Sequence, residues 1–147
     1  MRFLDTNIIL RYLAKPITSA DKTKHQSTTE LFKSIKQGNE EVITDSSVVS
    51  EVVYVLCSTR QYNLSHEKAA ARLRPIIHLR HLKLFHKRTY LRALDFFSMH
   101  NFLDFEDAVI IAQMERQGVK EIYSYDTDFD HMRDIKRIEP RSNHFRY

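Results

Sequence analysis

The chain of 147 residues holds only two glycines, three prolines and one cysteine. So few glycines leave no room for a glycine-rich phosphate loop, which argues against an ATPase, a GTPase or a dinucleotide enzyme. With so little proline, no repeat and no low-complexity tract, no linker divides the sequence, and residues 1–147 are expected to form a single domain. The lone Cys57 excludes an internal disulfide, and its neighbours Val53, Val55 and Leu56 mark it as a buried thiol. No apolar run is long enough to span a bilayer, and Asp5 follows Arg2 too closely for a secretory leader. The expected location is therefore the cytoplasm. Eight histidines show neither HExxH nor Cys-His spacing, so zinc is not expected.

What is present is the material of one ordinary domain, able to bury about two thirds of its unfolded surface. Hydrophobic residues, 42% of the total, fall in patterned runs between short polar gaps, which suits a globular chain. Lysine and arginine number 23 against 19 acidic residues, with a pI near 9.2, a balance that permits a polyanionic partner without demonstrating one.

Arg2-Phe3-Leu4 reads as a short strand, with Thr6 or Asn7 capping a helix over 8–14. A second helix is expected over 20–37, a strand over 41–44, and a helix opening in Asp45-Ser46-Ser47 and running to Arg60. Residues 65–100 suggest two helices around a strand at 82–85, with a break at Pro75. A helix over 105–117 and strands over 121–125 and 135–138 complete the pattern. Gly38 and Gly118 each stand where a helix should stop before a strand. Alternating strands and helices predict an α/β fold, a three-layer α/β/α sandwich around a mainly parallel sheet of four or five strands covered on both faces. Ligands of such sheets bind beyond the carboxyl ends of the strands, where Asp5, Asp126 and the segment 45–51 fall.

Each acidic residue has a structural alternative. Asp5 could cap the next helix, but Thr6 and Asn7 offer the same service, which favours a functional role. Glu51 lies in a helix rich in Val48, Val49, Val52, Val53, Val55 and Leu56, so the sequence places a carboxylate in an apolar layer. That is costly unless the group is paired with a cation or binds a metal. Asp104 and Asp107 share the first turn of a helix, where capping and the helix dipole would explain them as well as catalysis does. Asp126, Asp128 and Asp130 follow a strand; they lack the glycine and terminal glutamate of an EF-hand and otherwise suit an Asp-rich turn.

Four segments together resemble the PIN-domain nucleases, particularly the small VapC-like toxins of prokaryotic toxin–antitoxin pairs. They are Phe3-Leu4-Asp5-Thr6-Asn7, Ser50-Glu51-Val52, the stretch from Leu103 to Ala108, and Ser124-Tyr125-Asp126-Thr127-Asp128-Phe129. The resemblance implies that Asp5, Glu51 and Asp107 form an acidic triad with Asp126 as a fourth acid, all catalytic and metal-binding. Asn7, Ser124 and Asp128 would support them, with Asp104 as a cap or more distant support. Ser124 stands where the family usually has threonine, which keeps the hydroxyl. The stretch from Leu64 to His100 carries no family motif, and substrate choice is expected to lie partly there.

Clustered carboxylates repel one another, and a hard divalent cation, Mg²⁺ or Mn²⁺, relieves that repulsion and activates water for attack on phosphorus. The expected activity is hydrolysis of RNA phosphodiester bonds, with a small antitoxin protein as partner and a homodimer as the assembly. RNA would need flanking cations, for which Arg80, Lys83, Lys87, Arg88 and Arg133 are the candidates, with Arg72, Arg74, Arg92, Lys136, Arg137 and Arg141 nearby in sequence. A solvated, charge-balanced face is the alternative. The competing functions are a housekeeping PIN nuclease of RNA processing or decay and a non-catalytic RNA-binding domain. Retention of all four acids speaks against the last. An aspartyl phosphatase is weaker still, since Asp5-Thr6-Asn7 offers no second Asp.

Overall fold

A computed structural model describes residues 1–141. The chain runs β1 (Arg2–Phe3), α1 (Thr6–Leu13), α2 (Ser19–Gln37), β2 (Val42–Ile43), α3 (Ser46–Cys57), α4 (His66–Ile77), β3 (Leu82–Lys83), α5 (Lys87–Met99), α6 (Phe105–Gln117), β4 (Glu121–Tyr123), a 3₁₀ turn (Thr127–His131) and β5 (Lys136–Ile138). This is an α/β fold with parallel strands and six helices, as the alternating pattern predicts. Hydrogen bonding divides the strands into a ladder ordered β1-β2-β3 and a separate β4-β5 pair, parallel throughout. Strands of two or three residues carry few ladder bonds, so the expected sheet of four or five is realised as three plus two. It is also not covered everywhere, since Phe3 of β1 is exposed.

One apolar cluster takes residues from every helix, from Leu4 and Ile9 through Val52, Leu73, Leu94 and Ala108 to Phe129. Helix α3 lies against α1, α4 and α6, and α5 lies between α4 and α6. Among the described residues no helix is long and apolar enough to cross a membrane. Cys57 is half-buried at the edge of the core, and burial raises its thiol pKa.

Helix starts depart from expectation in an instructive way. Helix α1 begins at Thr6 with Asp5 itself as N-cap, two residues before the expected start. Helix α2 opens on an unforeseen capping box, in which Thr18 and Asp21 exchange side-chain and backbone hydrogen bonds. Pro75 does not break α4. It sits exposed in the last turn, and Ile76 and Ile77 beyond it are fully buried, so packing carries the helix past the missing amide.

Both glycines end helices in the left-handed region, Gly38 at φ 82° and Gly118 at φ 69°. Gly118→Ala is expected to cost about 1 kcal/mol from backbone strain alone. Gly38→Ala should cost more, because its Cβ would stand 2.9 Å from the His81 ring. Urea unfolding of both variants checks this; equal losses would reject the steric contribution.

Candidate active site

Three of the expected acids cap helical turns, each with one carboxylate oxygen. Asp5 leaves β1 and accepts the Thr6 amide at 2.8 Å, Asp104 accepts the Asp107 amide at 2.8 Å, and Asp126 leaves β4 and accepts the Asp128 amide at 2.9 Å. The redundancy that seemed to free Asp5 from capping is therefore not used. Capping occupies one oxygen and leaves the other with lone pairs to spare, so the two roles are compatible.

Glu51 corrects the sequence reading more sharply. Its carboxylate is exposed, on a stripe of α3 shared with Ser47 and Tyr54, while Val48, Val49, Val52, Val53 and Leu56 fill the buried side. The helix is amphipathic with a narrow polar stripe, and the apolar run concealed it. Thr6, buried at the start of α1, donates its hydroxyl to Glu51 Oε2 at 3.0 Å. This bond ties the start of α1, capped by Asp5, to the middle of α3. Thr6 was not among the expected site residues, and only its place beside Asp5 could have suggested it.

Among the described residues, Asp107, Asp126 and Asp128 form an acidic group, each offering a carboxylate oxygen within 4.8 Å of the others. Asp5 and Glu51 lie outside this trio. The β4 end is held by Ser124, whose hydroxyl accepts the Asp126 amide at 3.0 Å and whose carbonyl accepts from Arg137 at 3.1 Å. Asn7 is exposed on α1. The pKa of Asp107 is pushed up to about 6, first by burial, then by the charges of Asp104 and Asp126, a hydrogen bond with Asp126, and the charge of Asp128.

Among the described residues no ion pair takes Asp5, Glu51, Asp104, Asp107, Asp126 or Asp128, although Asp21, Asp95, Asp130 and Glu115 are all paired with arginine. The trio is an uncompensated set of hard oxygen donors, and it fits Mg²⁺ or Mn²⁺ better than zinc.

The expected cations divide. Lys83 pairs with Glu41 at 3.1 Å, and Lys87 donates to the Leu79 carbonyl at 2.8 Å with its pKa lowered by burial, so both serve the fold. Arg72 donates to the Leu13 carbonyl, Arg74 pairs with Asp95, Arg92 with Glu115 and Asp95, and Arg137 with Asp130 and Glu139. Arg80, Arg88, Arg133, Lys136 and Arg141 remain exposed.

The Asp107 carboxyl binds its proton near pH 6 when folded and near 3.8 when unfolded. The folded chain thus holds more protons between these values, and this group's contribution to stability falls as pH rises through 6. Without divalent cations the melting temperature should drop between pH 5 and pH 7, Mg²⁺ should restore it at pH 7, and Asp107→Asn should flatten the profile. Melting curves in EDTA test this; an unchanged profile in the variant would reject it.

Comparison with known proteins agrees with these motifs. The PIN domain matches residues 2–135. Among solved structures, the chain is similar to the Mycobacterium tuberculosis VapC20 toxin, described as a Sarcin-Ricin loop cleaving toxin, at 17% identity and a TM-score of 0.36, over 92% of this chain and 97% of that one. No curated protein matches. With 2–135 of its residues matched, the chain belongs to the PIN domain family.

Proposed function

We propose that this protein is a metal-dependent endoribonuclease, one domain acting in the cytoplasm as the toxin of a toxin–antitoxin pair. The observation that carries the reading is the trio Asp107, Asp126 and Asp128, gathered within 4.8 Å without a cationic partner among the described residues. Mg²⁺ or Mn²⁺ would be held by Asp107 and Asp126, with Asp128 beside them and Asp5 and Glu51 completing the acidic edge. Such an ion supplies activation of water and stabilisation of charge on the phosphoryl and leaving oxygens.

The protein's own residues prepare that chemistry. Asp104 and Ser124 fix the backbone on which Asp107 and Asp126 are carried. Thr6 holds Glu51 in one orientation, because a buried hydroxyl must donate to satisfy itself. Asp107, with its raised proton affinity, can take up a proton near pH 6 when no cation is bound. The toxin role, the antitoxin partner and the homodimer rest on the resemblance of the four motifs to VapC-like toxins.

Cleavage of mixed RNA should require Mg²⁺ or Mn²⁺, stop in EDTA, and fall about a hundredfold or more in Asp107→Asn and Glu51→Gln. Full activity in either variant would overturn the assignment. A short DNA-binding protein encoded next to this gene should abolish cleavage when added; cleavage unaffected by it would favour a housekeeping nuclease.

Exchange of Arg80, Arg88 and Arg133 for alanine should lower the salt dependence of single-strand RNA binding by about 2 in the log–log slope, since each phosphate contact contributes about 0.7. A slope identical to wild type would remove these arginines from the RNA path.

A further inference from the structure

Beside the acidic edge, α3, α4, α5 and α6 enclose a hollow of about 250 Å³. Its floor is apolar, formed by Val53, Phe97 and Phe105 from the core. Tyr54 forms one wall; it lies three residues after Glu51 on the polar stripe of α3 and is 73% exposed. Asp104 and Glu106 stand on the α6 side, so the hollow adjoins the turn that carries Asp107.

Among the described residues no lysine or arginine lines this hollow, which makes it a poor receptor for phosphate. Its polar rim is instead rich in acceptors. Glu106 and Asp104 present carboxylate oxygens. His66 Nδ1 lies 3.0 Å from the Phe97 carbonyl and its ring stacks on the Phe97 ring at 3.7 Å, which fixes the imidazole at the rim. A hollow with an apolar floor, an exposed aromatic ring and carboxylates at its rim suits a neutral ligand that brings an aromatic face and N–H donors.

We infer that this hollow receives one unpaired guanine base of the RNA, stacked on Tyr54 and read through its Watson–Crick edge by Glu106. Single-stranded bases are recognised by stacking on aromatic rings and by hydrogen bonds to that edge. Guanine offers N1–H and N2–H side by side, the pair of donors that the two oxygens of one carboxylate accept; adenine, cytosine and uracil each lack that pair. The site deepens the nuclease reading and rests on it, because the hollow's position beside Asp104 would set the bound base next to the phosphate being cut.

The test separates the two. The full-length Asp107→Asn protein is titrated with labelled single-stranded hexaribonucleotides, oligouridine carrying one guanine or one adenine, by fluorescence anisotropy. The guanine oligomer should bind more tightly. Tyr54→Ala should weaken it by about tenfold, within the range of a lost base–aromatic stack, while Tyr54→Phe keeps affinity. Glu106→Gln should erase the preference for guanine and leave the adenine oligomer unchanged. Tyr54 and Glu106 are both exposed, so these variants leave the core intact.

Cleavage of the same RNAs by the wild-type protein with Mg²⁺ reads the nuclease proposal independently. Cleavage combined with binding indifferent to the base, or to Tyr54→Ala, overturns the guanine site and leaves the nuclease reading standing. Guanine-selective binding lost in Tyr54→Ala without any cleavage supports the site and overturns the nuclease reading. If Tyr54→Ala instead converts a dimer to monomers in sedimentation, Tyr54 belongs to an interface between two copies and the guanine site is overturned.

Discussion

Parallel strands that each lead into a helix bring strand ends and helix N-termini together, and every helix N-terminus exposes amides that need an acceptor. Aspartate meets that need at Asp5, Asp45, Asp104 and Asp126. The acidic edge is therefore first a consequence of how the chain satisfies its backbone. Each such cap commits one oxygen, and one of them, Asp126, meets Asp107 and Asp128 in the group a divalent cation would neutralise.

Asp107 differs from those caps. Its backbone amide is the one satisfied, by Asp104, and its own carboxylate faces Asp126 and Asp128 from a half-buried position. Burial and like charges act in the same direction on it, which is why its proton affinity rises. Among the described residues arginine neutralises Asp21, Asp95, Asp130 and Glu115 and not this group. The charge left unpaired among the described residues is thus concentrated at Asp107, Asp126 and Asp128.

Much of the framework was legible along the chain. Gly38 and Gly118 announced helix ends because only a residue without Cβ enters the left-handed region cheaply, and α6 was delimited by a cap at Asp104 and that glycine. The errors have physical causes too. Glu51 seemed buried because six apolar neighbours crowd it in sequence, but a helix distributes them around its axis and leaves a stripe for Ser47, Glu51 and Tyr54. Pro75 looked like a break, and the burial of Ile76 and Ile77 outweighed its local cost. Lys83 and Lys87 lie in a basic stretch of sequence, but Glu41 and the Leu79 carbonyl hold them in the fold.

The sequence by itself determined where helices and strands alternate, which acids stand at their junctions, and through four short motifs the family to which the chain belongs, because these depend on local spacing and capping chemistry. Tertiary structure alone decided which acids meet. Asp107 reaches Asp126 and Asp128 across 19 and 21 positions of sequence, and Thr6 reaches Glu51 across 45, distances that no local pattern encodes. It likewise decided which cations were already spent on the fold and that Tyr54 faces solvent over a hollow beside the acidic edge, since exposure follows from how helices pack and not from their composition.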